Sequence, residues 1–180
     1  KLFGALPEYI WSVSPDALYL DLFAASEFTW ERDGGPVLVR METGMPYRQE
    51  IVLTFDCAPQ AFALKIRVPR WTKGAVAVSV NGKTAATGQP GAYLTLERCW
   101  QTGDKVFFEL PFAWKRTRYV GAEQVDGFVR YAYEAGPLLM AFRGLPDVDR
   151  HLALPCRSEE IPQLLTPADR PLHYHLSGYA

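Results

Sequence analysis

The sequence has little that marks an enzyme active site. It contains no glycine-rich phosphate loop and no G-x-S-x-G nucleophile elbow, the motifs of nucleotide-binding proteins and of many hydrolases. It has 3 cysteines and no C-x-x-C pair, which argues against a disulfide framework and against a zinc ribbon. We therefore expect reduced, buried thiols, and these favour a reducing compartment such as the cytoplasm.

The sequence also lacks an excess of either charge and any long apolar run. With 19 basic and 20 acidic residues, the formal net charge is -1, and nothing attracts the chain to nucleic acid or to an anionic membrane. No apolar stretch approaches the ~20 residues of a membrane-spanning helix. We expect neither partner. The chain opens on Lys1 without the features of a signal peptide, so we interpret it as a fragment of a longer polypeptide.

Short runs of alternating apolar residues dominate what is present. Between residues 62 and 68, Leu64 and Ile66 point to one side of a strand, and Lys65 and Arg67 to the other. Asn81-Gly82 is a strong signal for a tight hairpin. About ten such strands, separated by Gly, Pro and Asn, predict an all-β protein, an antiparallel, jelly-roll-like β-sandwich.

The pattern divides the chain into three regions. Residues 1–13 carry apolar residues near helical spacing and predict a short N-terminal helix within a first region, residues 1–15. Residues 16–115 predict the sandwich. In residues 116–180 frequent prolines break the pattern into short pieces. This part either begins a second, partial sandwich or supplies strands that complete the first.

Carboxylates are candidates for glycosidase chemistry, which needs two of them about 5 to 9.5 Å apart on opposite sides of one bond. The sequence cannot bring any two together, and Asp104 follows a glycine in a tight turn, where Asp commonly accepts from its own backbone. We expect turn or surface roles for the whole set: Glu27, Asp33, Asp56, Glu97, Asp104, Glu109 and Glu134.

Histidines and thiols are the other candidate groups. His173 and His175 share one strand face, but a zinc site needs further ligands at known spacing, and His151 and Cys156 lie in irregular sequence. No base is signalled beside Cys57 or Cys99, so inert thiols are expected. We assign no catalytic, cofactor-binding or metal-binding residue.

Aromatic residues are the stronger functional candidates. The 5 tryptophans and 9 tyrosines would stack on sugars if they were exposed in a row, although filling the core between two sheets is the expected role. Trp71 and Trp100 stand at strand ends. We keep Trp11, Trp71 and Trp100 as candidates for contact with a sugar or with another domain.

Three stretches together resemble a known family. L-P-E-Y-I-W at residues 6–11, with A-L-Y-L-D-L-F at 17–23, is similar to the passage "LPEYIY … GLYVNLY". Residues 64–71 with Val80-Asn81-Gly82 resemble "LRIPxW … VNG". Residues 93–111 with Gly136-Pro137-Leu138 resemble "GYxxIxRxWxxGDxVxLxLP … GPLVY". The family is glycoside hydrolase family 127 of the β-L-arabinofuranosidase type, and the likeness covers residues 1–142.

The resemblance implies a large enzyme with an (α/α)6-barrel catalytic domain followed by β-sandwiches. In that family the catalytic cysteine and the zinc ligands belong to the barrel, and Cys57, Cys99 and Cys156 stand in no matching context. Residues 1–15 would be the end of that barrel. The chain would be a non-catalytic accessory sandwich that packs on the barrel and stabilises it, with a homodimer contact as a further expectation. The alternatives are a carbohydrate-binding module with a row of exposed aromatics, and a structural or interaction sandwich.

Overall fold

The computed structural model describes residues 8–122, 126–141 and 156–176, and these residues are built mostly of β-strands. The chain divides after Pro111 into two compact units, residues 1–111 and 112–180. The predicted all-β class is confirmed. Within the described residues, no helix is both long enough and apolar enough to cross a lipid bilayer.

Ten strands form the described part of the first unit. They are β1 (Trp11–Ser14), β2 (Ala17–Leu20), β3 (Ser26–Trp30), β4 (Val37–Thr43), β5 (Glu50–Asp56), β6 (Gln60–Arg67), β7 (Val76–Val80), β8 (Lys83–Gly88), β9 (Tyr93–Trp100) and β10 (Lys105–Glu109). Four of them make one sheet in the order β1-β2-β6-β9, and six make another in the order β3-β4-β5-β10-β7-β8. Pairing is antiparallel throughout, except that β2 and β6 run parallel.

The core of this unit lies where apolar side chains of both sheets meet. In β5, Ile51, Leu53 and Phe55 are buried, while the residues between them are not, as the two-residue period of a strand requires. Leu64 of the four-stranded sheet and Phe108 of the six-stranded sheet belong to the same buried cluster. The predicted β-sandwich is therefore confirmed.

The Asn81-Gly82 hairpin forms as predicted between β7 and β8. Asn81 has φ of 51° and Gly82 has φ of 78°, the left-handed pair that a two-residue type I′ turn requires. The returning strand β8 was not predicted. Its sequence, K-T-A-A-T-G, has little apolar alternation, and most of its residues are exposed.

The start of the chain differs from the expectation. The prediction that a helix extends to residue 13 is wrong, because Trp11–Ser14 is strand β1. The turn after Ser14 brings β2 back beside it, and the backbone of β1 finds its partners there. Glu8 and Tyr9 make a 3₁₀ turn, and residues 1–7 lie outside the described part.

The second unit has smaller sheets of its own. Strands β11 (Trp114–Arg118), β12 (Tyr131–Ala135) and β13 (Leu138–Met140) form an antiparallel sheet, and β14 (Leu165–Pro167) pairs with β15 (Tyr174–Leu176). A helix of one turn, α1 (Ile161–Leu164), precedes β14. Within this unit Tyr133 donates its hydroxyl to the backbone oxygen of Ser158 at 2.8 Å, which ties the segment before α1 to the sheet.

Candidate functional site

Trp100 lies in the core of the first unit. Its indole is fully buried and stacks on Phe55, with ring centroids 4.4 Å apart, and its Nε1 donates to the backbone oxygen of Phe62 at 3.1 Å. A ring enclosed on all sides cannot receive a sugar or another domain without unfolding. Its role in this fold is packing between the sheets.

Trp11 is also buried, near the edge of the four-stranded sheet. It stacks on Phe28 with centroids 5.9 Å apart, and its Nε1 donates to Ser26 Oγ at 3.1 Å. This indole therefore joins the two sheets at β1 and β3. The neighbouring Tyr9 is exposed over 62% of its surface and is the freer aromatic at this end.

Of the three candidate tryptophans, Trp71 is the one that lines a surface cavity. It is half-buried and lines a cavity of about 380 Å³ at the end of the β6–β9 pair. The other lining residues follow β6 or lead into β9: Arg67, Val68, Pro69, Arg70, Gly91, Ala92 and Tyr93. We call this the Arg67–Tyr93 cavity.

Local sequence builds the two walls of this cavity. Arg67 ends β6 directly opposite Tyr93, which begins β9. Beyond them the ladder continues, because Val68 donates to Ala92 and Gly91 donates to Val68, both at 2.8 Å. Pro69 then stops the strand, and a turn carries the chain outward toward Trp71.

A polar network fixes the Tyr93 side of the cavity. The Tyr93 hydroxyl donates a short hydrogen bond to Asp21 Oδ1, and Ser12 Oγ donates to Asp21 Oδ2 at 2.7 Å. Asp21 raises the pKa of Tyr93 to about 12, chiefly through this hydrogen bond, with burial adding to it. The phenol is therefore neutral, and it is held in place across most of the accessible pH range.

The guanidinium of Arg67 joins the same network. Its Nε donates to the backbone oxygen of Asp21 at 2.8 Å. Tyr19 meets the Tyr93 ring edge-on, with centroids 5.7 Å apart, and Lys65 donates to the Tyr19 hydroxyl at 3.2 Å. The outer face of the four-stranded sheet therefore presents tyrosines and cations side by side.

A second concavity of about 330 Å³ lies on the six-stranded sheet. Glu42, Glu50 and Arg48 supply its charges, and Thr43, Gly44 and Val52 complete its lining. With two carboxylates to one guanidinium, it carries the opposite balance of charge from the Arg67–Tyr93 cavity.

The thiols and histidines do not assemble into a site in the described residues. Cys57 is buried, and burial followed by the neighbouring Asp104 and Asp56 raises the pKa of its thiol. Cys99 is exposed and Cys156 half-buried. Residues 8–122, 126–141 and 156–176 contain no group of three or more His, Cys, Asp or Glu side chains that could hold a metal ion. His151 lies outside these ranges.

The described histidines of the second unit are exposed, and three of the seven candidate carboxylates have local structural roles. His173 and His175 stay on the exposed side of the β14–β15 hairpin. Glu27 pairs with Arg40, and Glu134 pairs with Lys115. Asp104 accepts from the backbone N–H of Gln101 at 3.1 Å, which confirms the predicted turn role.

Comparison with known proteins identifies the first unit. The family profile described as "Beta-L-arabinofuranosidase, GH127 middle domain" matches residues 17–112, more than half of the chain. The chain belongs to glycoside hydrolase family 127. The family resemblance drawn from the sequence is thus confirmed. No curated protein matches the chain in a sequence search.

Solved GH127 structures share this fold. A GH127 beta-L-arabinofuranosidase from Geobacillus stearothermophilus T6 is 30% identical, with a TM-score of 0.61 over 77% of this chain and 22% of that one. A GH127 beta-arabinofuranosidase is 29% identical, with a TM-score of 0.60 over 74% of this chain and 24% of that one. A structure described as a glycoside hydrolase is 27% identical, with a TM-score of 0.60 over 73% of this chain and 22% of that one. The chain therefore spans less than a quarter of the length of these neighbours.

The cavity of this GH127 middle domain was not predicted as a unit. Sequence reasoning placed Arg67 on an outward strand face and Trp71 at a strand end, but it did not join them to Tyr93 or Asp21. Asp21 is 46 residues from Arg67 and 72 from Tyr93 in the sequence. The register of the β6–β9 pair places Arg67 directly opposite Tyr93. Because tertiary pairing sets this register, the sequence alone did not reveal it.

Proposed function

We propose that this chain is the non-catalytic accessory β-sandwich of a GH127 glycoside hydrolase of the β-L-arabinofuranosidase type, and that it packs on and stabilises an (α/α)6 catalytic barrel. One observation carries the proposal: the matching family profile is that of a middle domain, and it covers residues 17–112. The solved neighbours support it, since this chain covers only 22% to 24% of theirs.

The proposal assigns the chemistry to the barrel. The described residues do not fit the zinc that the family resemblance implies, since no three potential ligands gather among them. The most buried thiol, Cys57, has a raised pKa, which lowers its thiolate fraction and makes it a poor nucleophile near neutral pH. We therefore derive no catalytic step from this chain.

The alternative function, a carbohydrate-binding module, would require a row of exposed aromatic side chains on one face of the sandwich. The exposed aromatics of the first unit are instead separated: Tyr9 precedes β1, Tyr47 lies in a turn, and Tyr93 and Phe107 stand on different sheets. This scatter favours an accessory sandwich over a flat glycan platform.

An activity assay of the chain tests the absence of catalysis. We expect no turnover of a chromogenic β-L-arabinofuranoside, while the Geobacillus stearothermophilus GH127 enzyme at equal molarity, run with the same buffer and zinc, releases product. Turnover by this chain that co-purifies with it and survives a second chromatographic step would contradict the proposal.

A chimaera tests the stabilising role. This chain would replace the matching segment of the Geobacillus stearothermophilus enzyme, beside a variant in which that segment is deleted. We expect the chimaera to melt several degrees above the deletion variant and to recover soluble yield, because the barrel surface regains an apolar partner. Equal melting temperatures in the two proteins would refute packing as the function of this chain.

A further inference from the structure

We propose that the Arg67–Tyr93 cavity binds a sugar that carries a carboxylate, a uronic acid residue of an oligosaccharide. This binding goes beyond the accessory role proposed above and does not depend on it. A stabilising sandwich needs no ligand, and a ligand-binding sandwich needs no barrel.

The two arginines that line the cavity, Arg67 and Arg70, favour an anionic ligand. Arg70 is exposed, and among the described residues it has no hydrogen-bond or ion-pair partner. Arg67 uses Nε on the backbone oxygen of Asp21, so its two terminal nitrogens remain for a ligand. Asp21 is the nearby carboxylate, and both of its oxygens already accept from Ser12 and Tyr93. Two guanidinium groups therefore line the cavity while the nearby Asp21 carboxylate is already engaged, and the planar fork of donors on a guanidinium suits a further carboxylate.

Gly91, on the β9 side of the cavity, leaves room for the Arg70 side chain. A Cβ built on Gly91 would stand 3.0 Å from Cγ and 3.3 Å from Nε of Arg70, so the arginine stem lies directly across the glycine backbone. Gly91 has φ of 85°, a conformation that side-chain-bearing residues rarely adopt. The turn thus holds the Arg70 side chain against the cavity, which lowers the entropy that its ordering by a ligand would cost.

The remaining walls fit a sugar ring better than a bare ion. Trp71 and Tyr93 both line the cavity, and Tyr93 keeps 47% of its surface exposed. The volume of about 380 Å³ lies within the range of small-ligand pockets, which combine apolar walls with a few polar groups. Aromatic side chains and two cations in the lining of one cavity match a ring that bears a single carboxylate.

The second concavity supplies a matched control in the same molecule. Arg48 lies across Gly44 as Arg70 lies across Gly91, with the Gly44 Cβ position 3.0 Å from the Arg48 stem. Glu42 and Glu50 line that concavity and offset its charge. A uronate should therefore not bind in the second concavity.

Calorimetric titration of the 180-residue chain at low ionic strength tests the proposal with D-galacturonate and D-glucuronate as probes. We expect saturable binding of a uronate, at least tenfold weaker binding of galactose and glucose, and at least tenfold weaker binding of acetate. The loss follows from the charge-assisted hydrogen bonds that neutral sugars cannot form. Equal affinity for acetate and uronate would reduce the cavity to a simple anion site and overturn the sugar assignment.

Paired variants locate the binding. Arg70→Gln should weaken uronate binding about tenfold or more, whereas Arg48→Gln should leave it unchanged, and both should melt within a degree or two of the parent because both arginines are exposed. Equal losses in the two variants would mean attraction by overall charge and would overturn the proposal.

Indole resonances give an independent readout. In a ¹H–¹⁵N spectrum, the Trp71 Nε1 signal, assigned with Trp71→Phe, should shift on adding galacturonate, and the fully buried Trp100 should not. A saturating titration that moves no indole signal would place the ligand elsewhere and contradict the proposal.

Discussion

The Asn81 side chain joins two turns through Asp104. Its Nδ2 donates to Asp104 Oδ1 at 2.7 Å, while its Oδ1 accepts from the backbone N–H of Lys105 at 2.8 Å. Asn81 belongs to the β7–β8 hairpin, and Asp104 precedes β10. One amide therefore locks the hairpin turn onto the strand beside it.

Loss of Asp104 should destabilise the first unit. Asp104 is only 3% exposed, and it accepts from Asn81, from Gln101 N and from Arg98 at 3.4 Å. Asp104→Ala removes the shared acceptor and should lower the free energy of unfolding by about 2–3 kcal/mol, measured by urea denaturation. The control, Asp33→Ala at an exposed turn, should change stability by less than about 0.5 kcal/mol. Equal effects of the two substitutions would mean that the Asp104 network contributes nothing.

Gly88 should not tolerate a side chain. A Cβ at this position would lie 2.7 Å from Val68 Cγ2 and 3.0 Å from Leu94 Cβ, inside the packed core. Gly88→Ala should therefore cost about 1–3 kcal/mol of unfolding free energy through overpacking. Combining it with Val68→Ala should cost less than the sum of the two single changes, because the second change removes the clashing methyl. Strict additivity in this double-mutant cycle would argue against the contact.

The stability of the first unit should show a Tyr93 component at high pH. Asp21 raises the pKa of Tyr93 from its ordinary value of 10.0 to about 12, so the folded state holds this proton more tightly than the unfolded state. The contribution is complete below pH 10 and falls as pH rises through about 12. In urea denaturation, the stability difference between the parent and Tyr93→Phe should shrink across that window. A difference independent of pH would show that the hydroxyl bond to Asp21 is absent in solution.

The thiols should react in order of their exposure. Cys99 is exposed, whereas Cys57 is buried with its pKa raised by burial and by the nearby Asp104 and Asp56. With a colorimetric thiol reagent at pH 8, Cys99 should react fast and Cys57 only as the first unit unfolds. Cys99→Ser should remove the fast phase, while Cys57→Ala should remove a slow phase whose rate follows denaturant. A fast phase lost in Cys57→Ala would contradict the buried position.

Regular alternation carried most of the fold. Strand β6 was predicted closely because its apolar residues recur every second position and few other structures satisfy that spacing. The Asn81-Gly82 turn was equally direct, since its backbone conformation suits those two residues. Strands β1 and β8 were not predicted, because their residues show only weak apolar alternation. Pairing with neighbouring strands stabilises them instead.

The tryptophans show where sequence reasoning stops. Trp11, Trp71 and Trp100 were candidates of equal rank from the sequence. In the structure Trp100 is enclosed between the sheets, Trp11 packs against Phe28 of β3, and Trp71 lines a cavity. The direction in which a ring points depends on the register of its strand and on which sheet covers it. Neither the register nor the covering sheet is encoded in the residues next to each tryptophan.

The amino-acid sequence alone determined the all-β class, the hairpin at Asn81-Gly82 and the relation to glycoside hydrolase family 127, because alternation and short motifs are local properties. The tertiary structure alone decided that Arg67 and Tyr93 line one cavity, that Asp21 accepts hydrogen bonds from both, and that Asn81 reaches Asp104. These groups lie far apart along the chain, and only the pairing of β2, β6 and β9 into one sheet, with β10 in the other, brings them within hydrogen-bond distance.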